Sequence, residues 1–215
     1  MEENHRPELD ERPQSRREWS GWLRSLVLPL ALVVAIVGAL LYIQASGGDE
    51  ADDGYGTVAL PADKNPSGRE PAAEAGRVAP DFLLRALSGN DLRFSDLRGR
   101  PILVNFWSTW CTTCRAEMPE LVEAYKTHQR DGFVVLGVNL READTRVQPF
   151  AEDFGMSFPV LLDRSGEVAR TWRIGGPTEG LPSSYFIDRD GVVTRVVYGL
   201  LTQKALSEGL ALILQ

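Results

Sequence analysis

The only two cysteines of this chain, Cys111 and Cys114, stand three residues apart in the pentapeptide W-C-T-T-C. An apolar, strand-like run over residues 102–107 leads into them, and a helix-like run over residues 115–121 follows. The pair therefore requires a fold in which a buried strand passes directly into a helix. Two thiols at such a junction can close a short disulfide with little backbone movement, and the free amides of a helix start favour a thiolate on Cys111. This arrangement predicts a redox centre.

Two other interpretations of the pair are a structural disulfide and one corner of a metal site. A bridge across so short a loop adds little stability. A zinc or copper site needs further ligands, and the sequence has no other cysteine and only His128 nearby. We therefore predict no metal-ligating residues and no cofactor.

The N-terminal quarter differs in kind from the rest. Residues 26–43 carry no charge and are almost wholly apolar, long enough for a helix of roughly 27 Å. Arginines precede this run, and no Lys or Arg follows it until Lys64. This asymmetry predicts a disordered cytoplasmic tail over residues 1–25, a transmembrane anchor over residues 26–43 and an extracytoplasmic remainder of the chain. The alternative is a cleaved signal peptide, which would also carry the cysteines out of the cytoplasm.

Residues 44–76 are rich in Gly, Ala, Pro and acidic side chains, a composition that predicts a flexible linker. Residues 77–215 then form the predicted folded domain. The formal net charge of the whole chain is −7, and no basic stripe follows its folded part, so we expect no nucleic-acid partner.

Within the domain, strand-like and helix-like runs alternate regularly. This order predicts an α/β fold with a mixed central sheet and helices on both faces. The predicted elements are a hairpin within residues 81–94, strands at 102–107, 133–139 and 159–162, a hairpin at 184–198, and helices after Cys111, at 145–154, at 167–172 and at 202–214, the last capped by Thr202.

Three segments carry a resemblance to a known family. They are F-W-S-T-W-C-T-T-C-R-A-E-M-P at residues 106–119, V-A-P-D-F at residues 78–82 and G-L-P-S-S-Y-F-I-D at residues 180–188. Together they resemble the thioredoxin superfamily, and within it the membrane-anchored TlpA/ResA/DsbE branch that is related to the AhpC/TSA redoxins. The resemblance covers about residues 77–215 and implies a thioredoxin-like fold with an N-terminal hairpin and a central insert at residues 140–165.

The resemblance also implies an activity. It indicates an extracytoplasmic thiol–disulfide oxidoreductase that reduces protein disulfides, such as those of apocytochrome c before haem attachment. Electrons would come from a membrane thiol carrier. Because disulfides persist outside the cytoplasm, the cysteine pair would need such a partner to be kept reduced.

Three residues of the predicted helix are expected to perform the chemistry. Cys111, at the helix start, is the expected nucleophile, and Cys114, on the apolar face, the resolving thiol. Glu117, which the family often carries at this place, is expected to exchange a proton with Cys114 from a partly buried position. The alternative for Glu117 is an exposed acid that only complements the helix dipole.

Three further residues are expected to meet the substrate. The resemblance implies that Pro182 is a cis proline beside the disulfide; the alternative is an ordinary proline at a strand edge. Leu181 before it and Trp110 before Cys111 would contact the partner protein.

Two other functions compete with disulfide reduction. A thiol peroxidase is suggested by the A-P-D-F segment that peroxiredoxins share, although no proline precedes Ser108 as that class requires. A copper-handling module would need a wider cysteine spacing and a distal histidine. Peroxide consumption and copper retention would distinguish these functions.

Overall fold

The computed structural model describes residues 29–39, 54–65, 67–174 and 180–215. The chain divides into two compact units at residues 51 and 52. In the first unit, helix α1 spans residues 29–39. Within the described residues, no helix is both long and apolar enough to cross a membrane. The predicted anchor at 26–43 extends past α1 at both ends into residues outside this description, where the predicted tail at 1–25 also lies.

The second unit is built on one eight-stranded mixed sheet. The strands follow the order β1-β2-β6-β5-β4-β7-β8, with β3 paired to β2. Neighbours β4/β5 and β5/β6 are parallel, and the other pairs are antiparallel. The strands are β1 (Gly56–Thr57), β2 (Phe82–Ala86), β3 (Asp91–Arg93), β4 (Ile102–Trp107), β5 (Val134–Leu140), β6 (Val160–Asp163), β7 (Ser183–Ile187) and β8 (Val193–Tyr198).

Helices cover both faces of the sheet, as predicted. They are α2 (Thr112–His128), α3 (Asp144–Asp153), α4 (Glu167–Thr171) and α5 (Gln203–Ile213). Apolar residues of α2, α3 and α5 pack on one face in a single cluster. On the other face, α4 leads into Trp172, which lies in an aromatic cluster with Phe82, Phe94, Phe106 and Tyr185. The Tyr185 hydroxyl donates a hydrogen bond to the Trp172 carbonyl, at 2.6 Å.

The predicted central insert contains α3 and β6, and it packs against the helix that carries the cysteines. The ring of Phe150 in α3 lies 4.7 Å from that of Trp107 at the end of β4. The Arg115 guanidinium lies over the rings of Phe150 and Phe154, at 5.0 and 5.3 Å from their centroids. Cation–π contacts of this kind tie the insert to the first turn of α2.

The segment before the domain differs from the predicted flexible linker at 44–76. From Gly54 onward its described residues pack on the domain: β1 pairs with β2, and Ala73 is buried in the core. The Glu167 carboxylate accepts a hydrogen bond from the Thr57 amide, at 3.1 Å. The folded unit thus begins well before residue 77, because backbone pairing at a sheet edge needs no apolar sequence signal. Residues 44–53 lie outside the described part.

Gly209 in α5 offers a test of the packing between this helix and the sheet. A Cβ at this position would overlap the ring of Phe186, which is fully buried. Alanine normally stabilises a helix by about 1 kcal/mol relative to glycine. Here we expect Gly209→Ala to lower the free energy of unfolding by about 1–3 kcal/mol, because the buried ring must move. Urea denaturation would measure this change in the free energy of unfolding.

Ser207→Ala is the matched control, since Ser207 is exposed on the same helix. It should change the free energy of unfolding by less than about 0.5 kcal/mol. A Gly209→Ala protein as stable as the wild type would contradict the described contact.

Candidate active site

The two cysteines form a disulfide at the junction of β4 and α2. Their Cα atoms lie 5.2 Å apart. Cys111 is the N-cap of α2, and its sulfur accepts a hydrogen bond from the Cys114 amide, at 3.1 Å. Cys111 is 5% exposed and Cys114 is fully buried. The first sulfur is thus the more accessible, at the helix end where unpaired amides concentrate positive potential.

Glu117 lies one helical turn beyond Cys114, and it is 1% exposed. Its Oε1 accepts a hydrogen bond from Asn105 Nδ2 and its Oε2 one from the Leu201 amide, both at 2.7 Å. Burial raises the pKa of Glu117 to about 7, and the two hydrogen bonds oppose that rise without cancelling it. The alternative of an exposed first-turn acid is therefore wrong. The site holds a carboxyl group that can gain or lose a proton near neutrality.

Asn105 connects this carboxyl group to the neighbouring strand. Its amide nitrogen also donates to the Ser184 hydroxyl, at 3.0 Å, across the β4–β7 pair in which these two residues lie opposite each other. A neutral amide here donates to the carboxylate, whereas a second acid would repel it.

Glu142 is a site residue that the sequence analysis missed. It follows β5, and its carboxylate accepts hydrogen bonds from the amide and hydroxyl of Thr109, at 2.7 and 2.6 Å, and from Asn139 Nδ2, at 2.8 Å. These contacts hold the loop that leads from β4 to Cys111. An acid three residues after an asparagine near the end of a buried strand was the available signal, but the sequence could not pair it with Thr109.

Two of the three predicted substrate-contacting residues, Trp110 and Leu181, line one groove. The Leu181–Pro182 peptide bond is cis, and Pro182 is buried at the start of β7. Leu181 and Trp110 both line a groove of about 590 Å³. Trp110 is 68% exposed, whereas Trp107, at the end of β4, is fully buried in the core. An exposed indole next to a reactive disulfide is suited to contact a protein partner.

The sequence predicts no metal-ligating residues. No group of three or more His, Cys, Asp or Glu side chains in the described part of the chain is arranged to hold a metal ion.

Several known proteins are similar to this chain in sequence and fold. The AhpC/TSA family model matches residues 75–196. The thiol-disulfide oxidoreductase ResA of Geobacillus thermodenitrificans is 37% identical over 139 residues, which cover 65% of this chain and 78% of that protein. ResA of Geobacillus kaustophilus is 38% identical over 133 residues, which cover 62% of this chain and 74% of that protein. A thiol:disulfide interchange protein of the thioredoxin family from Chlorobium tepidum aligns with a TM-score of 0.58 and 28% identity, over 68% of this chain and 99% of that one. The expected thioredoxin-like fold is confirmed.

The titration of Glu117 should be visible in protein stability. Because its pKa rises from 4.5 to about 7 on folding, the folded protein holds a proton that the unfolded chain releases. The stabilisation is therefore complete below about pH 4.5 and is lost as the pH rises through about 7. We expect wild-type stability to fall by about 3 kcal/mol over this range relative to Glu117→Gln, which cannot ionise.

Urea unfolding of the disulfide form at a series of pH values would measure this difference. Glu123→Gln, at an exposed position of α2, is the matched control and should follow the wild-type profile. If the wild type and Glu117→Gln have parallel profiles, the carboxyl group does not titrate in this range.

Proposed function

This chain belongs to the AhpC/TSA family and is a thiol–disulfide oxidoreductase, and we propose that it acts as a reductant of protein disulfides outside the cytoplasm. The observation that carries the proposal is the Cys111–Cys114 disulfide at a helix start with the buried carboxyl group of Glu117 one turn below. This arrangement provides a nucleophile, a resolving thiol and a proton acceptor on two turns of one helix.

The reaction begins from the dithiol form. The Cys111 thiolate attacks one sulfur of the substrate disulfide; a new disulfide joins Cys111 to the substrate, and the other substrate sulfur leaves as a thiolate that takes up a proton. The Cys114 sulfur, once deprotonated, attacks Cys111 Sγ and releases the second substrate thiol. Two electrons and two protons have then passed to the substrate, and the protein holds its disulfide.

Glu117 serves the second step. Cys114 is fully buried, so bulk water does not reach its thiol directly. A carboxylate with a pKa of about 7 can accept the Cys114 proton at neutral pH, and it returns a proton when the disulfide is reduced again.

The proposal extends to location and partners. The apolar run at 26–43 and the arginines before it support a single membrane anchor, with the N-terminus in the cytoplasm and the catalytic domain outside. The family resemblance supports oxidised apocytochrome c as one substrate. A membrane thiol carrier would supply the electrons, because an extracytoplasmic dithiol is not kept reduced by cytoplasmic thiols.

The reduction potential of the Cys111–Cys114 pair tests the direction of electron flow. Full-length protein would be equilibrated in defined thiol buffers while its tryptophan fluorescence is followed. We expect a potential at or below about −250 mV, as in strongly reducing proteins of this fold. A potential between about −180 and −120 mV would indicate an oxidant or isomerase and would contradict the proposal.

Substitution of the resolving thiol should trap substrates. In Cys114→Ser the mixed disulfide on Cys111 cannot be resolved, so we expect covalent adducts that non-reducing electrophoresis shows and a reductant releases. The double variant Cys111→Ser, Cys114→Ser is the control and should yield none. Failure of Cys114→Ser to form an adduct with any protein of the membrane fraction would count against exchange with protein substrates.

A further inference from the structure

The groove that Trp110 and Leu181 line is mainly apolar, and the charged side chains that line it among the described residues are of one sign. Its apolar side chains include Trp110 and Leu181, together with Leu140, Ala169 and Ile174. Its charged side chains are Arg141 and Arg170, and no Asp or Glu lines it within the described part of the chain. This is unusual in a protein with a net charge of −7, in which acids outnumber basic residues.

Among the described residues, neither arginine has a carboxylate within salt-bridge distance, but the charge of Arg170 does act on the buried Asp163. Burial raises the pKa of Asp163, and the positive charge of Arg170 opposes part of that rise. Arg170 donates one hydrogen bond to the Ser165 carbonyl, at 3.3 Å. Other arginines of the domain do form salt bridges, for example Arg164 with Asp144, at 3.4 Å. Within the described part of the chain, Arg141 therefore presents positive charge to a ligand, and Arg170 adds charge that Asp163 offsets in part.

The position of Arg141 is fixed by its backbone. Its φ of 54° lies in the left-handed region, which side-chain-bearing residues seldom occupy. Its amide donates to the Asp163 carbonyl, at 3.0 Å, which connects it to the end of β6. Its guanidinium lies against Gly166, where a Cβ would overlap it. A conformation of this cost is maintained where the surrounding structure enforces it, and such positions cluster at functional sites.

We propose that this groove binds the substrate segment next to the reactive cysteine and that Arg141 and Arg170 select segments carrying acidic side chains. The inference rests on the proposed reductase function and names its preferred substrate class: cystine-containing polypeptides with Asp or Glu beside the cysteine. Trp110 and Leu181 contact the apolar part of the segment. The two guanidinium groups attract its carboxylates, which raises the rate of encounter and sets the orientation of the bound segment.

Two synthetic peptides test the preference. Each contains one disulfide, and they differ only in the flanking residues, which are Asp in one and Lys in the other. The second-order rate constant for their reduction by the dithiol form of the full-length protein is followed by tryptophan fluorescence. At low ionic strength we expect the acidic peptide to react about tenfold faster, and we expect the ratio to shrink as salt is added.

Substitutions of the two arginines test whether they cause the preference for the acidic peptide. Arg141→Gln and Arg170→Gln should each reduce the rate ratio, and the double variant should bring it close to one. Arg141→Lys retains the charge and should keep most of the ratio, which separates a charge effect from a disturbance of the loop. Arg164→Gln, which removes a paired arginine outside the groove lining, should leave the ratio unchanged.

The outcomes separate this inference from the function on which it rests. Equal rates for the two peptides in the wild type, or a ratio that survives in the double variant, would overturn the inference and leave the reductase function intact. Failure to reduce either peptide would overturn both.

Discussion

The active site depends on one buried carboxyl group with two hydrogen-bond donors. Glu117 in α2 accepts from Asn105 in β4 and from the Leu201 amide just before α5, so that three separate parts of the chain meet at one side chain. Because burial disfavours the charged carboxylate, this junction is most stable when it holds a proton. If Glu117 exchanges a proton with Cys114 as proposed, the same titrating group contributes both to the packing around α2 and to the chemistry of the disulfide.

The elements that position the site could be predicted because their signals are local. Strand β4 has the predicted bounds, and Thr202 caps α5 through a hydrogen bond from the Ala205 amide, at 3.2 Å. Contacts between residues far apart in the sequence could not be predicted, because they leave no local pattern. The burial of Glu117 depends on Leu201, 84 residues away. The docking of β1 depends on backbone pairing and on the Glu167 side chain, neither of which leaves a pattern in the segment that docks.

For the same reason, the sequence predicts only part of the site. Motif spacing suffices for Cys111 and Cys114, since three residues on a helix determine their separation. The contacts of Glu142 with Thr109 and the shared groove of Trp110 and Leu181 arise only when loops from several strand ends converge. In parallel sheets, sites form at such converging strand ends, so most of their residues are far apart in sequence.

Cys111 serves as the helix cap as well as the reactive sulfur, and this dual role has a thermodynamic consequence. Its sulfur occupies the place where helices usually carry a Ser, Thr, Asp or Asn oxygen, and it accepts from the Cys114 amide. By thermodynamic linkage, a helix end that stabilises the Cys111 thiolate is itself stabilised by that thiolate, by the same free energy. The first turn of α2 should therefore exchange its amide hydrogens more slowly when Cys111 is a thiolate than in the neutral dithiol, so that its local order follows the ionisation of this one thiol.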